Sequence, residues 1–331
     1  MPDYVGRFAP SPTGSLHLGS LAASLVAWLA ARQSGGRLFL RVEDLDQPRV
    51  VAGMVEEQMA DLRWLGLDWD EGPDTDGDLA PYAQSEAGRF YDAALERLRA
   101  ADLLYYCDCS RREIAGLISA PHPGEGEAIY PGRCRPFGLR SREFRRPPAI
   151  RLAVPEGKIA GLDRWQGPFA QDVAREVGDF VLRRGDGVTT YQLAVVVDDL
   201  RMGITEVVRG ADLLSSAPRQ ILLAQLLGGR APSFAHLPMV VDSEGHRLAK
   251  RNPRLQLRER RASGEKPVKV LMEMATFLGL LPAEQASELA SLDELVAYAD
   301  LSRLRGMLEV SMPATSGAPE APGVPGPGNK A

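Results

Sequence analysis

The sequence predicts an α/β protein built on a parallel sheet, because short apolar strands alternate with amphipathic helices over roughly the first hundred residues. Residues 4–9 form the first predicted strand, and the helix after it has apolar side chains at three- and four-residue spacing. A second strand is predicted at 37–42, and two further helices at about 50–65 and 85–101. Gly66 is predicted to cap the first of these two helices at its C-terminal end.

The second half of the chain resumes the alternation after an irregular stretch at 105–151. The nearly continuous apolar run at 189–197 is interpreted as a buried central strand that leads into a helix or turn at 198–199. Residues 268–308 indicate a small helical unit, and the Pro- and Gly-rich tail from about 313 is predicted to be disordered. The other predicted elements are strands at 177–182, 204–208 and 234–241 and a helix at 217–227.

The composition is that of a folded chain with room for more than one domain. Its 331 residues are 44% hydrophobic and 25% charged, which allows two domains and a sizeable core. No apolar run approaches the length of a membrane span and no leader precedes the first strand, so we expect a cytoplasmic protein. Three clustered cysteines argue against a disulfide framework. The net charge of −5 means that a nucleic acid would need a local basic surface.

The turn after the first strand has the features of an anion site. Residues 10–14 form a rigid Pro-rich loop, and the helix that follows at once begins near His17. Unpaired amide groups and the positive end of the helix dipole suit a phosphate there, and Gly19 lets a flat nucleotide approach the backbone. The alternative is a glycine that merely turns the chain, since one such turn is weak evidence.

Charged residues follow several predicted strands. Residues 43–46 (Glu-Asp-Leu-Asp), flanked by Arg41 and Arg49, come after the second strand, where open α/β sheets bind their ligands. A solvated acidic turn is the alternative. Arg209 follows another strand and could grip a carboxylate bidentately or serve in a structural ion pair. Lys250 lies in a polar loop and could neutralise charge that develops on phosphates.

Three cysteines suggest a metal site in the irregular stretch. Cys107 and Cys109 are one residue apart and can face one ion, and Cys134 returns on a glycine turn. Tetrahedral zinc needs a fourth ligand, for which His122 and Tyr130 are the candidates. Unpaired cysteines without a metal are the alternative.

The same stretch is strongly basic, and Glu143 is the local opposing charge. A charge run is usually a solvated face, but beside a rigid knuckle it could equally contact a phosphate backbone. With the arginines of 251–261, these residues are the candidates for contacting RNA: Arg133, Arg135, Arg140, Arg142, Arg145, Arg146 and Arg151.

Separate sequence blocks in the same order resemble the class I aminoacyl-tRNA synthetases. Residues 10–20 (Pro-Ser-Pro-Thr-Gly-Ser-Leu-His-Leu-Gly-Ser) are similar to the first ATP motif of that class, and 247–251 (Arg-Leu-Ala-Lys-Arg) to the second. The resemblance covers about 4–252. The blocks that look glutamyl-type are Arg7–Gly14, Arg41–Asp46, Tyr191–Asp199 and Val207–Asp212.

Two features narrow the resemblance to the truncated glutamyl-type paralogues, the glutamyl-queuosine tRNA(Asp) synthetases. The chain stops near residue 310 without a long anticodon-binding region, and it carries a Cys-x-Cys…Tyr-x-x-x-Cys knuckle. The resemblance implies Tyr130 rather than His122 as the fourth ligand of one structural zinc. Arg247 and Ala249 stand where a lysine and a serine are usual in the second motif, whereas Lys250 is retained.

The resemblance also implies an architecture. We expect a Rossmann-like, doubly wound parallel sheet with an inserted zinc-knuckle or acceptor-type subdomain and a small C-terminal helical unit. The expected divisions are a first catalytic half at 1–104, the inserted subdomain at 105–186, a second catalytic half at 187–252, a helical stem-contact unit at 253–310 and a disordered tail at 311–331.

The implied activity is activation of glutamate with ATP and Mg²⁺ to glutamyl-adenylate without tRNA. The glutamyl group then passes to the queuosine base in the anticodon of tRNA(Asp). The implied partners are thus ATP, L-glutamate and the tRNA(Asp) anticodon stem-loop, and we expect a monomer with no membrane partner. The implied roles are catalysis by His17 and Lys250, ATP binding by His17, Gly19 and Lys250, glutamate binding by Arg7, Ala9, Ser11, Glu43, Tyr191 and Arg209, and zinc binding by Cys107, Cys109, Tyr130 and Cys134.

Two other functions compete with this one. The nearer is a glutamyl-tRNA synthetase that charges tRNA(Glu), against which the missing C-terminal region counts. The other is a non-catalytic zinc- and RNA-binding paralogue, against which the joint retention of the implied site residues counts.

Overall fold

A computed structural model describes residues 4–75, 77–110, 112–114, 129–241 and 257–311. The strands are β1 (Val5–Phe8), β2 (Arg37–Leu40), β3 (Leu104–Cys107), β4 (Ala149–Leu152), β5 (Lys158–Asp163), β6 (Gly167–Asp172), β7 (Val181–Arg183), β8 (Glu206–Gly210), β9 (Ser233–Leu237), β10 (Met239–Val241) and β11 (Glu309–Ser311). The helices are α1 (Leu18–Gln33), α2 (Met54–Leu65), α3 (Gly88–Ala100), α4 (Val173–Glu176), α5 (Tyr191–Arg201), α6 (Ala217–Leu226), α7 (Leu257–Ala262), α8 (Pro267–Phe277), α9 (Ala283–Glu288) and α10 (Leu292–Tyr298).

Parallel strands form the centre of the molecule, as the sequence predicts. β1 pairs with β2, and β8 pairs with β9, each in parallel register. The start of β8 lies beside β1, because the backbone N–H of Thr205 donates to the carbonyl of Val5 at 2.9 Å. β5 runs parallel to β9, and β6 adds an antiparallel edge. The carboxyl ends of β1, β2, β8 and β9 therefore face one edge of the fold, where open α/β sheets bind ligands.

The predicted central strand at 189–197 is wrong, because this run forms most of α5. Thr190 is extended at the N-terminal cap, and the helix then continues from Tyr191 through Asp198 and Asp199. Its residues from 193 to 199 are all buried, so the helix has no solvent-exposed face over these two turns. A helix buried all round needs no polar face, and its sequence then looks the same as that of a buried strand.

Other elements are confirmed with shifted ends. α2 begins at Met54 rather than near 50, because a short 3₁₀ turn with Pro48 near its start occupies 47–49. Gly66 caps α2 with a φ of +77°, as predicted. The predicted strand at 234–241 is split at Pro238, which has no backbone N–H to donate to a ladder.

A separate antiparallel sheet, in the order β3–β4–β7, carries the cysteine-containing segment. Gly178 bends the chain before β7 with a φ of +75°, so the predicted strand at 177–182 is reduced to Val181–Arg183. At Gly178 a Cβ atom would lie 2.9 Å from the carbonyl oxygen of Tyr130. This glycine therefore allows the close approach of the segment that contains Tyr130.

Helix α1 lies in the largest apolar core. Leu25 and Leu29 on this helix are fully buried, and they belong to the same cluster as the apolar side chains of the C-terminal helices. The side-chain amide of Gln33 donates to the carbonyls of Val296 and Ala299 at 2.9 and 2.7 Å. The predicted C-terminal helical unit is thus confirmed and packs on α1. The predicted disordered tail lies outside the described residues.

Candidate active site

The N-terminus of α1 forms one wall of the candidate site. His17 is the N-terminal cap residue in an extended conformation, and its Nδ1 accepts from the backbone N–H of Ser20 at 3.1 Å. A Cβ atom at Gly19 would lie 3.3 Å from the Cε1 and Nδ1 atoms of His17. The glycine therefore leaves space for the imidazole beside the backbone amides at the start of the helix.

The loop between β1 and α1 is held by groups from the following segments. The buried side-chain amide of Gln58 on α2 donates to the carbonyls of Ser11 and Gly14 at 3.2 and 2.7 Å. The backbone N–H of Glu43 donates to the carbonyl of Pro10 at 3.0 Å. Residues expected to bind two different ligands are thus fixed in one rigid loop.

A buried charge network joins the ends of β1 and β2 to α5. Arg7 and Arg41 both donate to the same Asp199 oxygen, at 3.4 and 2.6 Å. Arg41 is fully buried and also donates to Glu43 at 3.0 Å. Ala9 follows β1 directly and is half-buried. The network orients Glu43, whose side chain is 12% exposed.

The second half of the site surrounds Arg209 at the end of β8. Its Nε–H donates to Nε2 of His236 at 2.9 Å, and its Nη1 donates to Gln220 at 2.8 Å and to the hydroxyl of Tyr191 at 3.3 Å. Its Nη2 donates to the carbonyl of Leu213 at 3.1 Å. Four of its five N–H groups are therefore used within the described part of the chain, and one on Nη2 remains.

Among the described residues, the charged side chains around the pocket leave one positive charge without a carboxylate partner. Arg7 and Arg41 pair with Glu43 and Asp199, and Asp198, 4.0 Å from Arg41, also pairs with Arg201. Among the described residues Arg209 forms no ion pair, so the alternative of a structural ion pair at this arginine is not what the structure has. Burial raises the pKa of Glu43, although the charges of Arg41 and Arg7 act against that shift. Such a pocket suits a substrate with carboxylate and ammonium groups.

Four supporting residues were not anticipated from the sequence: Gln58, Asp199, Gln220 and His236. The sequence contains little to mark the two glutamines as supporting residues, because they lie within ordinary amphipathic helices. His236 is easier to recognise, because it is a polar residue within the apolar part of β9. The sequence predicts Asp199 in a helix or turn after a strand, because most of its helix is interpreted as that strand.

The cysteine-containing segment brings together the four predicted zinc ligands. The Sγ atoms of Cys107, Cys109 and Cys134 lie within 4.8 Å of one another, and none forms a disulfide. The hydroxyl of Tyr130 is 3.4 Å from Cys107 and 3.7 Å from Cys109. The Cys109 and Cys134 sulfurs are 3.7 Å apart, which matches the edge of about 3.8 Å of a tetrahedron with Zn–S bonds of about 2.3 Å. The donor set therefore fits one tetrahedral zinc ion.

The arginines around this segment are less available than the sequence indicated. Asp108, which is buried, pairs with Arg142 and Arg145, and Glu113 also pairs with Arg145. The expectation that Glu143 is the local opposing charge is therefore wrong. It failed because carboxylates distant in sequence fold back onto the arginines.

Two more of these arginines contact the knuckle or the chain next to it. Arg151 lies over the Tyr130 ring at 4.1 Å and donates to the carbonyl of Asp179 at 2.7 Å. Arg135 donates to the carbonyl of Val154 at 3.0 Å. In contrast, Arg133 and Arg140 are exposed and make no side-chain hydrogen bond or ion pair within the described ranges.

Several sequence-predicted site residues lie outside the described residues. They include Lys250, with its neighbours Arg247 and Ala249 in the second ATP motif, and His122, the other candidate for the fourth zinc ligand. Their roles stay predictions.

Comparison with known proteins agrees with this geometry. The family model described as "tRNA synthetases class I (E and Q), catalytic domain" matches residues 4–312. A glutamyl-Q tRNA(Asp) synthetase of Nitratidesulfovibrio vulgaris strain Hildenborough is 48% identical over 282 residues, which are 84% of this chain and 87% of that protein. One of Symbiobacterium thermophilum is 48% identical over 307 residues, covering 90% and 93%.

The fold comparison gives the same result. A solved glutamate-tRNA synthetase from Elizabethkingia anophelis superposes with a TM-score of 0.77 and 29% identity, over 94% of this chain and 68% of that one. The sequence matches extend over most of the chain and the fold likeness over nearly all of it. The chain therefore belongs to the class I tRNA synthetases of the E and Q type, among the glutamyl-Q tRNA(Asp) synthetases.

Proposed function

We propose that the protein activates glutamate with ATP to glutamyl-adenylate and transfers the glutamyl group to the queuosine base in the anticodon of tRNA(Asp). The observation that carries the proposal is Arg209, a buried guanidinium held by neutral acceptors, in a pocket that also contains the Glu43 carboxylate. The names of the two relatives described above support the choice of RNA.

Glutamate would lie between Arg209 and Glu43. The remaining Nη2–H of Arg209 and the hydroxyl hydrogen of Tyr191, whose oxygen already accepts from Arg209, can both donate to one substrate carboxylate. Arg209 would therefore not bind the carboxylate through two of its own N–H groups, because four of the five are already bonded within the protein. Glu43 would accept from the substrate ammonium, while Arg7 and the loop residues Ala9 and Ser11 close the pocket.

ATP would bind at the N-terminus of α1. His17, the helix amides near Gly19, and Lys250 from the second motif would stabilise the α-phosphate as a substrate carboxylate oxygen attacks it and pyrophosphate leaves. Mg²⁺ would accompany the ATP phosphates. The protein supplies positioning and charge stabilisation, and the bond changes occur between the two substrates.

The knuckle would hold one structural zinc and help to present the RNA surface. Three thiolates and a phenolate leave no open position on a tetrahedral ion, so catalysis by the metal is not required. Arg133 and Arg140, with the half-exposed ring of Phe137 between them in sequence, are the candidates for the RNA contact. A basic surface with an exposed aromatic ring suits phosphates and an unstacked base.

The proposed domain organisation is the one expected from the sequence, a doubly wound catalytic domain in two halves with the knuckle subdomain at 105–186 between them. The antiparallel sheet β3–β4–β7 supports it, because all three strands come from this insertion or its immediate border. The helical unit and tail would follow, in a cytoplasmic monomer.

Charging assays with three RNAs test the proposal. Labelled glutamate is offered with ATP to queuosine-modified tRNA(Asp), to the same RNA lacking queuosine, and to tRNA(Glu). We expect label only on the modified tRNA(Asp), and charging should persist when the 3′-terminal adenosine of that RNA has been removed beforehand. Label on tRNA(Glu) that is abolished by removal of its 3′-terminal adenosine would identify a tRNA(Glu)-charging enzyme instead. Glutamate-dependent exchange of pyrophosphate with ATP is the control for adenylate formation, and its absence would favour a non-catalytic paralogue.

A further inference from the structure

A buried histidine and aspartate stand behind Arg209 on the side away from the pocket tyrosine. His236 is the register partner of Arg209 on the neighbouring parallel strand β9. Its Nε2 faces Nε of Arg209 at 2.9 Å, and its Nδ1 faces Oδ2 of Asp163 at 2.5 Å. His236 is fully buried and Asp163 is 1% exposed. The three side chains thus form a hydrogen-bonded line that ends at the proposed substrate arginine.

The line permits one protonation state of the imidazole. The Nε–H of arginine can only donate, so Nε2 of His236 must be the acceptor, and the ring proton is then on Nδ1 and donates to Asp163. Asp163 also accepts from the backbone N–H groups of Trp165 and Gln166 at 3.0 and 2.9 Å. These bonds hold the carboxylate ionised and fixed in orientation, and burial lowers the pKa of His236.

A neutral imidazole between the two charges has a specific consequence. A carboxylate in direct contact with Arg209 would occupy the guanidinium and compete with a substrate carboxylate. His236 supplies the required acceptor while it keeps the charge of Asp163 one ring away from Arg209. The ring of Phe234, stacked on His236 at 5.9 Å and located 5.0 Å from the guanidinium, holds both groups in place.

The geometry points to His236 and Asp163 as positioning residues for the glutamate pocket: together they fix the tautomer that orients Arg209 and leave its charge for the substrate carboxylate. This inference rests on the proposed role of Arg209 in binding glutamate.

Three variants separate the two hydrogen bonds. In Asp163→Asn the amide oxygen can keep the backbone donors, so the amide N–H₂ faces Nδ1 and moves the ring proton to Nε2, against Arg209. His236→Asn retains a donor toward Asp163 but loses the acceptor for Arg209. His236→Gln can restore an acceptor near the Nε2 position. Asp179→Asn, which changes a buried carboxylate just before β7, is the matched control.

Pyrophosphate exchange, followed as a function of glutamate and of ATP concentration, gives the test. We expect Asp163→Asn and His236→Asn to raise the KM for glutamate about tenfold or more, with the KM for ATP within about twofold of wild type. His236→Gln should recover most of the loss, and Asp179→Asn should not change the glutamate KM. Nitrogen NMR of histidine-labelled protein, which has four histidines, should show the Nδ1–H form of His236 in wild type and the Nε2–H form in Asp163→Asn.

Wild-type glutamate KM values in the first two variants would overturn the inference, as would an Nε2–H tautomer in the wild-type protein. An equal loss for both substrates in all three variants, without rescue by glutamine, would also overturn it in favour of a purely structural pair. If instead the proposed function is wrong, the wild-type protein itself would show no glutamate-dependent pyrophosphate exchange, which distinguishes that failure from failure of this inference.

Discussion

Arg209 illustrates how the surroundings of one side chain define what it can bind. Arg7 and Arg41 share the carboxylate of Asp199, whereas the contacts of Arg209 in the described part of the chain are all to uncharged groups. A buried cation without a carboxylate partner is costly unless a ligand supplies the charge. The residue type could be predicted from the sequence, but the number of its free N–H groups could not, because its acceptors come from four different elements.

Lys250 is the residue whose loss should affect the chemical step most. We expect Lys250→Ala to lower the rate of glutamate-dependent pyrophosphate exchange by about a hundredfold or more, on the scale of roughly 3 kcal/mol for one charge-stabilising donor. Lys266→Ala, which changes an exposed lysine at the start of α8, serves as the control. Exchange at the wild-type rate in the Lys250 variant would remove this lysine from the mechanism.

Glu43 should make glutamate binding depend on pH. Burial raises its pKa above the ordinary value of about 4.3, so it becomes protonated earlier than an exposed glutamate as the pH falls. A neutral carboxyl binds an ammonium weakly, and the KM for glutamate should therefore rise as the pH falls through this raised pKa. In Glu43→Gln the KM for glutamate should be high at every pH, and its rise at low pH should disappear. If the KM rises in the same way at low pH in both proteins, the titrating group is not Glu43.

At the scale of elements, the loop after β1 depends on a side chain of α2, a helix that is not assigned to the proposed binding site. Gln58 supplies both N–H groups of its amide to the loop carbonyls of Ser11 and Gly14. We expect Gln58→Leu to lower kcat/KM for ATP about tenfold and to lower the free energy of unfolding by about 1–3 kcal/mol, because two buried acceptors lose their donor. Gln225→Leu, an exposed position on α6, is the control. Pyrophosphate-exchange kinetics measure kcat/KM for ATP, and chemical denaturation measures the free energy of unfolding. Unchanged values would show that the loop keeps its conformation without Gln58.

The knuckle is the element whose stability should depend on metal. We expect one zinc per chain in the wild type and less than about a tenth of that in Cys107→Ser, with a lower thermal unfolding temperature, since one of the four proposed ligands is lost. Tyr106→Phe changes the neighbouring residue without removing a ligand and should retain the metal. Elemental analysis of the purified proteins checks this, and full zinc content in Cys107→Ser would exclude the proposed ligand set.

At the scale of the whole molecule, RNA binding must overcome a net charge of −5. Replacing Arg133 and Arg140 together by glutamine should weaken binding of queuosine-modified tRNA(Asp), and should reduce the slope of log K against log salt by up to about two. Arg230→Gln, an exposed arginine near the start of β9, is the control. Filter binding at several salt concentrations measures the slope. An unchanged slope would place the RNA on another face.

Much of this protein was determined by local sequence. The strand–loop–helix from residue 4 to 33 and the C-terminal cap at Gly66 could be predicted, because they depend on nearby residues. The spacing of Cys107, Cys109 and Cys134 likewise predicted that they can face one metal ion. The sequence blocks that supply the two halves of the candidate pocket could also be predicted, because they resemble those of a known family.

The tertiary structure decided the state of residues 189–197 and the partners of the charged groups. A fully buried apolar run satisfies a helix and a strand equally, so its neighbours choose between them. The pairing of Asp108 with Arg142, and of Asp163 with His236 and through it with Arg209, joins residues 34 and 73 positions apart. Charge pairs of this kind depend on distances across the folded chain, which local sequence does not specify.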